Sequence, residues 1–363
     1  MKRICLIGNN AFGQPVFDGQ RIKVRTYKET FEKEGFEVEL VELDKPLKRL
    51  FKIFSNIKKA IKQCDIIVLI TSDNGERILI PYINRINKKY NKRFVFSQIG
   101  TSFLYKYIKP MSEERKNKFF YEHDFSDLKP KKKLVRQLSQ IDAILAETEL
   151  IKETFETFFN LSNCHYLTNF RDNLILTKTN NFNSYNKLIY LSRVTSRKGI
   201  FDLMNVLSDD KFSNLSLDIY GTLSFDDNEL YLFNSLLNER IKYCGEVTPD
   251  KTIATLAQYD FLCFPTKCEG EGTPGCVVES LIAGVPVLSS NFTQSKELLK
   301  DGFDSIIYGF GDLEDLEHKL SYIASGGVDV NALKANALES GKRFTYGYNR
   351  EKFLFLITGK EVN

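Results

Sequence analysis

Residues Phe264 to Ser290, FPTKCEGEGTPGCVVESLIAGVPVLSS, give the clearest indication of the fold in the second half of the chain. This stretch predicts a strand that ends at Phe264, a glycine-rich loop, a helix from about Cys276 to Ala283, and a further strand after the turn at Gly284. Glycines before a helix let backbone N–H groups approach a ligand closely, and the first turn of the helix carries a partial positive charge. The stretch therefore predicts a phosphate site.

Two carboxylates accompany this loop. Glu271 lies within it, and Glu279 follows eight positions later, on the predicted helix. Negative charge repels a phosphate group, so we expect these carboxylates to accept hydrogen bonds from neutral donors such as sugar or ribose hydroxyls. The loop thus indicates a ligand that carries both phosphate and hydroxyl groups.

Two cations lie near the end of an earlier strand. In LIYLSRVTSRKG, residues Leu188 to Gly199, Arg193 ends the predicted strand and Lys198 opens a helix five residues later. Arginine supplies a planar fork of donors and lysine a point charge, so the pair can hold a diphosphate from both sides. The alternative for either cation alone is a solvated surface charge.

These segments resemble family 4 of the glycosyltransferases with the GT-B architecture. The family's E-x7-E motif corresponds to Glu271 through Glu279, and its R-[LV]-x3-K-G motif to Arg193 through Gly199. The passage Ser295 to Ile307 is similar to a third family segment, with Ser305 near the place of its last glycine. The resemblance covers about 120 residues of the second half.

The resemblance implies a role for each matched residue. Glu271 would meet the donor sugar and Glu279 the ribose, and the cations would stabilise the leaving diphosphate. Arg193, Lys198 and Glu271 are therefore the expected catalytic residues. The expected donor-binding residues are Gly19, Arg193, Lys198, Gly245, Val247, Glu271, Gly272, Thr273, Pro274, Gly275 and Glu279.

The first half carries two further candidates. Gly19 lies in the loop Asn9 to Arg25 after the first predicted strand, where the resemblance places donor phosphates; a flexible loop is the alternative. After the predicted strand that ends at Ile99, Gly100-Thr101-Ser102 stands where many family members carry His-Asp. His123 is the remaining candidate for acceptor or sugar contact, and a surface or structural histidine is the alternative.

Strands and helices alternate along the whole chain, which predicts an α/β protein with two Rossmann-like doubly wound domains facing a cleft (GT-B). We expect an acceptor-binding domain at residues 1–168 with a C-terminal helix from 344–363, and a donor-binding domain at 169–343. The polar stretch Asn169 to Asn186 is the predicted linker. The predicted strands span residues 3–7, 37–41, 65–71, 93–99, 142–146, 164–167, 188–191, 215–220, 241–244, 261–264, 285–288 and 305–308.

Composition narrows the class of protein. The 363 residues contain no apolar run near 18 residues, so no membrane-spanning helix is expected. Seven cysteines without a C-x-x-C pair indicate a reducing cytoplasm. The three histidines lack metal-ligand spacing and no D-x-D ends a strand, so neither a metal nor a cofactor is expected besides a UDP- or GDP-sugar co-substrate.

Charge divides unevenly between the halves. Residues 1–168 hold 31 Lys and Arg against 21 Asp and Glu, net +10, whereas the remainder is net −6. Much of the excess lies in Lys45 to Lys62 and in Lys129 to Arg136. The first segment is a predicted helix with one apolar face and one basic face, which suits an anionic membrane surface. The alternative is an ordinary helix packed on the sheet. Nucleic acid is disfavoured because the second half is acidic and carries no nucleic-acid motif.

The sequence and its family resemblance together predict a retaining hexosyltransferase that moves a sugar from a nucleotide-diphosphate-sugar to a glycan or lipid-linked acceptor in surface polysaccharide or glycolipid assembly. It would be cytoplasmic or peripheral on the inner face of the cell membrane. A GT-B nucleotide-sugar epimerase and a non-catalytic partner subunit of a glycosyltransferase complex are the alternatives. A dehydrogenase is disfavoured because no G-x-G-x-x-G follows the first strand.

Overall fold

The computed structural model describes residues 2–9, 19–43, 50–71, 73–100, 104, 107–172, 186–268 and 271–361. The chain forms two compact units. The first comprises Met1–Asn169 and Asn349–Asn363, and the second comprises Phe170–Tyr348.

A six-stranded parallel sheet forms the centre of the first unit, in the order β2-β1-β3-β4-β5-β6. Its strands are β1 Arg3–Gly8, β2 Glu37–Glu42, β3 Ile66–Ile70, β4 Arg93–Ser97, β5 Ala143–Ala146 and β6 Cys164–Tyr166. Its helices include α1 Gly19–Lys33, α2 Leu50–Gln63, α3 Asp73–Tyr90, α4 Glu113–Tyr121, α5 Lys132–Leu138 and α6 Glu149–Phe158. Strand β3 is buried throughout, as expected for a parallel sheet with both faces covered.

The second unit has its own six-stranded parallel sheet, in the order β12-β11-β10-β7-β8-β9. Its strands are β7 Lys187–Leu191, β8 Ser216–Tyr220, β9 Ile241–Tyr243, β10 Phe261–Phe264, β11 Val287–Ser290 and β12 Ser305–Tyr308. The helices that follow β7 are α7 Ile200–Leu207, α8 Asp227–Leu236, α9 Thr252–Leu256, α10 Gly275–Ile282, α11 Ser295–Leu298, α12 Leu313–Ala324, α13 Val330–Gly341 and α14 Tyr346–Thr358.

The last helix, α14, begins in the range of the second unit and ends in that of the first. Within the first unit, the Phe353 ring stacks on Phe31 at 5.4 Å between centroids. The Arg350 guanidinium donates to both carboxylate oxygens of Glu34, at 2.8 and 2.7 Å. The part of α14 that contains Arg350 and Phe353 is thus held to α1 by an aromatic contact and a bidentate ion pair.

A buried ion pair ties three elements of the second unit together. The Asp260 carboxylate accepts hydrogen bonds from the backbone N–H groups of Asn186 and Lys187, both at 3.0 Å, and contacts Lys334 Nζ at 2.7 Å. The Asp260 and Lys334 side chains are 2% and 4% exposed, so removing one partner would leave an uncompensated charge inside the protein. The starts of β7 and β10 are thereby fixed to α13.

The strand order of the second sheet reverses between β7 and β10. The chain winds outward from β7 through β8 to β9 on one side, and from β10 through β11 to β12 on the other. In open α/β sheets, ligands bind outside the carboxyl ends of the strands at such a reversal. The loops that follow β7 and β10 contain the two motifs singled out in the sequence. The predicted fold class, α/β with two Rossmann-like doubly wound units, is confirmed.

Candidate functional site

The loop after β7 is held in place by backbone hydrogen bonds. The Val194 N–H donates to Thr222 O, and the Ser224 N–H donates to Val194 O, both at 3.0 Å. The next residues form a short 3-10 turn, Ser196–Lys198, in which the Thr195 hydroxyl accepts from the Lys198 N–H at 3.3 Å. This cap fixes the backbone of Lys198.

Gly199 brings this turn against the loop after β10. Its φ is +75°, in the left-handed region that favours glycine, and a Cβ placed there would lie 1.8 Å from the Pro265 carbonyl oxygen. No larger residue fits unless one of the two loops moves. The glycine of the predicted R-V-x3-K-G motif is therefore required for the close approach of the two loops.

Across this contact, the Lys198 ammonium forms an ion pair with the Glu271 carboxylate. The Thr266 hydroxyl donates to the same Glu271 oxygen, Oε1, at 2.9 Å, and Lys198 Nζ lies 5.5 Å from the centroid of the Phe264 ring. Burial favours the neutral amine, but the neighbouring Glu271 carboxylate outweighs it, so the pKa of Lys198 is raised above its ordinary value. The sequence places these two residues on different parts of a ligand, whereas here they contact each other.

Arg193 is in a different state. Its side chain is exposed, and its guanidinium makes no ion pair or hydrogen bond with any residue that the structure describes. Its backbone carbonyl accepts a 3.0 Å hydrogen bond from the Tyr190 hydroxyl. The carboxyl end of β7 therefore presents a cation that is available to a ligand.

The helix α10 begins at Gly275, one residue before the predicted start, with Pro274 at its N-cap. Gly272 and Thr273 are buried ahead of it, while residues 269–270 lie outside the described part of the chain. Burial raises the pKa of the Cys276 thiol, in the first turn, to about 12, so this group stays protonated at neutral pH and is not poised as a nucleophile.

Glu279, the second carboxylate, is paired with Arg171. Arg171 Nε donates to Glu279 Oε1 at 2.6 Å, and the two side chains are 13% and 7% exposed. Arg171 lies in the stretch that the sequence predicts as a linker, so its part in this cluster is missed by sequence reasoning. Neither periodicity nor motif spacing marks it.

Gly245 and Val247 follow the edge strand β9. The Gly245 carbonyl accepts from the Gly221 N–H at 2.8 Å, and Gly221 passes so close to Ser192 that a Cβ would lie 1.8 Å from the Ser192 carbonyl oxygen. The segments after β7, β8 and β9 therefore lie side by side. Val247 is half-buried in this row.

Gly19 and His123 are the two candidate site residues in the first unit, and they lie in different surroundings. Gly19 begins α1 and is exposed, and a Cβ there would meet no atom within 4 Å; most of its predicted loop, residues 10–18, lies outside the described residues. His123 Nδ1 lies 3.4 Å from Thr157 Oγ1 on α6. Thr157 is about 12 Å along α6 from the helix start at the carboxyl edge of the sheet, so His123 lies away from that edge.

A buried ion pair instead occupies the carboxyl ends of β4 and β5. Lys23 Nζ lies 2.9 Å from Glu147 Oε1 and 2.9 Å from the Gln98 carbonyl oxygen, and Glu147 Oε2 accepts from the Gly100 N–H at 3.1 Å. This pair, which sequence reasoning did not single out, fixes the backbone where it leaves β4.

Within the described residues, no group of three or more His, Cys, Asp or Glu side chains could hold a metal ion. In the same part of the chain, none of the helices has the length and apolar character needed to cross a membrane.

Comparison with known proteins finds a family match within the second unit. The family described as "Glycosyl transferases group 1" matches residues 173–340, nearly the whole second unit. Among curated relatives, an uncharacterized 41.2 kDa protein in the cps region of Klebsiella pneumoniae is 26% identical over 125 residues, 34% of this chain and 33% of that protein. The uncharacterized glycosyltransferase MJ1178 of Methanocaldococcus jannaschii is 23% identical over 172 residues, 47% and 46% of the two chains. The chain thus spans between a third and a half of the length of these relatives.

Among solved structures, the chain is similar to Alr3699/HepE of Anabaena in complex with UDP, with a TM-score of 0.71 and 15% identity over 99% of this chain and 100% of that one. Another structure of the same protein, in complex with UDP-glucose, gives the same values. At this level of identity the likeness shows the fold. The chain thus has the GT-B fold, and its second unit is similar to the glycosyl transferases group 1 over residues 173–340.

Proposed function

We propose that the protein is a glycosyltransferase (EC 2.4) of family 4 that moves a hexose from a nucleotide-diphosphate-sugar, with retention of the anomeric configuration, to a glycan or lipid-linked acceptor. The product would serve surface polysaccharide or glycolipid assembly. One observation carries the proposal: two loops at the strand reversal of the second sheet bring Arg193, Lys198 and Glu271 to one edge, with Glu279 on the helix that follows.

The donor would lie along this edge. Its diphosphate would contact the exposed Arg193 guanidinium, the Lys198 ammonium and the N-terminal amides of α10, all of which favour negative charge. Its sugar would lie near Glu271 and residues 272–275, its ribose near Glu279, and its base near Gly245 to Val247. The nearness of the segments after β7 and β9 supports this order.

The chemistry would be mainly electrostatic. As the bond between the sugar and the diphosphate breaks, negative charge grows on the leaving oxygen, and fixed cations at that point stabilise the transition state. Lys198 would then share its charge between the diphosphate and Glu271. No protein nucleophile and no bound metal are part of this proposal.

The acceptor-binding role is proposed for the first unit, together with contact to an anionic membrane surface on the cytoplasmic side. On α2, the side chains of Ile53, Ile57 and Ile61 are buried, as expected for a helix that packs on the sheet. The other face presents exposed lysines, and Phe51 is 91% exposed. An exposed aromatic ring beside lysines suits the headgroup region of a bilayer.

A two-step assay tests the proposed function. Thermal shift with UDP-, GDP- and dTDP-sugars should reveal the donor, because a ligand that binds only the folded state stabilises it by mass action. UDP is the first choice because the structural neighbour Alr3699/HepE was solved with UDP. With that donor, nucleotide release should depend on added acceptor, and NMR of the product should show the donor's anomeric configuration. Sugar inversion at a ring carbon without acceptor would instead favour the epimerase.

A further inference from the structure

Arg171 and Glu279 form a largely buried ion pair with an unusual geometry. The pair is joined through one bond only, from Arg171 Nε to Glu279 Oε1 at 2.6 Å. The second oxygen, Oε2, accepts no hydrogen bond from any residue that the structure describes. A buried carboxylate normally uses both oxygens. Glu279 therefore keeps one oxygen available to a ligand.

The arginine is held rigidly. Its backbone N–H donates to Phe344 O at 2.9 Å, and its carbonyl accepts from the Tyr346 N–H at 2.7 Å. Its Nη1 donates to the Phe170 carbonyl oxygen at 3.1 Å, and the Phe170 ring lies 5.6 Å from that of Tyr346. Both the backbone and the guanidinium are therefore fixed before any ligand binds.

The guanidinium also reaches the start of α10. A Cβ on Gly275 would lie 2.6 Å from Arg171 Nη2, so the absence of a side chain at 275 makes room for the arginine. Gly275 and Glu279 are four positions apart, which places them on the same face of the helix. Arg171 thus lies along the face of α10 that carries the carboxylate.

We propose that Arg171 is a positioning residue of the donor site. It holds Glu279 by one oxygen so that the other accepts hydrogen bonds from the ribose hydroxyls of the donor nucleotide; this rests on the proposed function. The competing explanation is that Arg171 only ties α10 to the segment around Phe344. The two explanations differ in whether the effect of Arg171 depends on the ribose hydroxyls.

Calorimetric titration with UDP and with 2′,3′-dideoxyuridine diphosphate separates them. Arg171→Gln should weaken UDP binding about 10–100-fold. Without the arginine, Glu279 would leave its position, and its charge-assisted contact with the ribose would be lost. The dideoxy nucleotide should bind wild type and Arg171→Gln with equal affinity. Arg171→Lys, which keeps the charge, should recover part of the UDP affinity. In Arg171→Gln/Glu279→Gln, UDP should bind no more weakly than in Glu279→Gln alone.

Arg343→Gln is the matched control. Arg343 lies on the same segment, donates to the Leu298 carbonyl oxygen at 2.6 Å and packs on the Phe344 ring. Its replacement should lower the thermal midpoint and leave UDP affinity unchanged. If wild type binds UDP and Arg171→Gln binds it equally well, or loses affinity equally for both nucleotides, the positioning role is wrong. If wild type binds neither UDP nor GDP, the proposed function falls, and this inference with it.

Discussion

Lys198 and Glu271 lie 73 positions apart in the sequence, yet their side chains form an ion pair beside the ring of Phe264. The loops that follow β7 and β10 are thereby linked by charge at the strand reversal. A diphosphate that binds there would compete with Glu271 for the ammonium. The donor would therefore meet a lysine that is already charged and already in place, which lowers the cost of organising the site on binding.

The two glutamates should fail in different ways when replaced. Glu271→Gln frees the Lys198 ammonium, so affinity for UDP should not fall, while turnover should drop because the sugar loses its charged partner. Glu279→Ala should weaken binding of both UDP and the donor. Calorimetry with UDP and a transfer assay on each variant measure this. Equal loss of UDP affinity in both variants would show that the two carboxylates do not contact different parts of the donor. Full activity of Glu271→Gln would exclude Glu271 from the site.

The raised pKa of Lys198 predicts how its contribution to stability depends on pH. A folded-state pKa above the unfolded value means that the contribution is fully present below the unfolded value, about 10.4 for lysine, and is lost as pH rises through the folded one. The difference in free energy of unfolding between wild type and Lys198→Met should therefore be constant from pH 7 to about 10 and shrink only above. Urea titrations across this range measure it. A decline already between pH 7 and 9 would mean that Glu271 does not hold the ammonium.

Gly199→Ala should lower the free energy of unfolding more than Gly302→Ala does. Both glycines have a φ near +70°, so the left-handed backbone should lower the free energy of unfolding by about 1–2 kcal/mol when either residue is replaced by alanine. At Gly302 the added methyl meets no atom within 4 Å, whereas at Gly199 it meets the Pro265 carbonyl. Only Gly199→Ala should therefore also displace Lys198 and weaken UDP binding. Denaturation and calorimetry of the two variants test this, and equal losses would show that the loop contact has no role.

Membrane binding is predicted to depend on the basic face of α2, at Lys52, Lys58 and Lys59; Lys48 and Arg49, predicted with them, lie outside the described residues. Each lysine near an anionic surface is worth roughly 1 kcal/mol, so reversing the three to Glu should weaken binding to anionic vesicles by about 10²-fold or more. Raised salt should do the same.

A charge-matched control is available for this prediction. Lys131, Lys132 and Lys133, at the start of α5, are also exposed, and reversing them changes the net charge equally. Their reversal should leave most of the vesicle binding intact, because no aromatic residue comparable to Phe51 adjoins them in sequence. Sedimentation with vesicles compares the two variants. Equal sedimentation of wild type and the α2 variant would leave α2 with a packing role alone.

The sequence predicts most strands closely because turn residues limit short apolar runs. Phe261–Phe264 stops at Pro265 and Ser305–Tyr308 at Gly309, and both are observed with the predicted bounds. Strand β11 instead runs two residues later than predicted, through Ser289 and Ser290. Their buried hydroxyls donate to backbone carbonyls, so these polar residues can continue the strand.

Partners within the site could not be predicted in the same way. The spacing from Arg193 to Lys198, and from Glu271 to Glu279, follows from local structure, so the sequence alone predicts it. Which cation meets which carboxylate depends on how distant loops pack, and no local pattern records it. The role of Arg171 cannot be predicted for this reason, since Arg171 lies in a polar stretch without periodicity and contacts Glu279, 108 positions later in the chain.

Arg193 and Lys198 are proposed to bind the diphosphate of a nucleotide donor. Calorimetric titration of UDP into wild type, Arg193→Ala and Lys198→Ala, with acceptor-dependent turnover of the donor measured alongside, tests this proposal most directly. Lys267→Ala is the control, because Lys267 adjoins the same loop but pairs with Asp202 at 2.9 Å and is 41% exposed. Each of the first two variants should keep its fold, lose UDP affinity and turn over about 10²–10³-fold more slowly, while the control should behave as wild type. Wild-type affinity and turnover in both Arg193→Ala and Lys198→Ala would show that these cations do not bind the diphosphate.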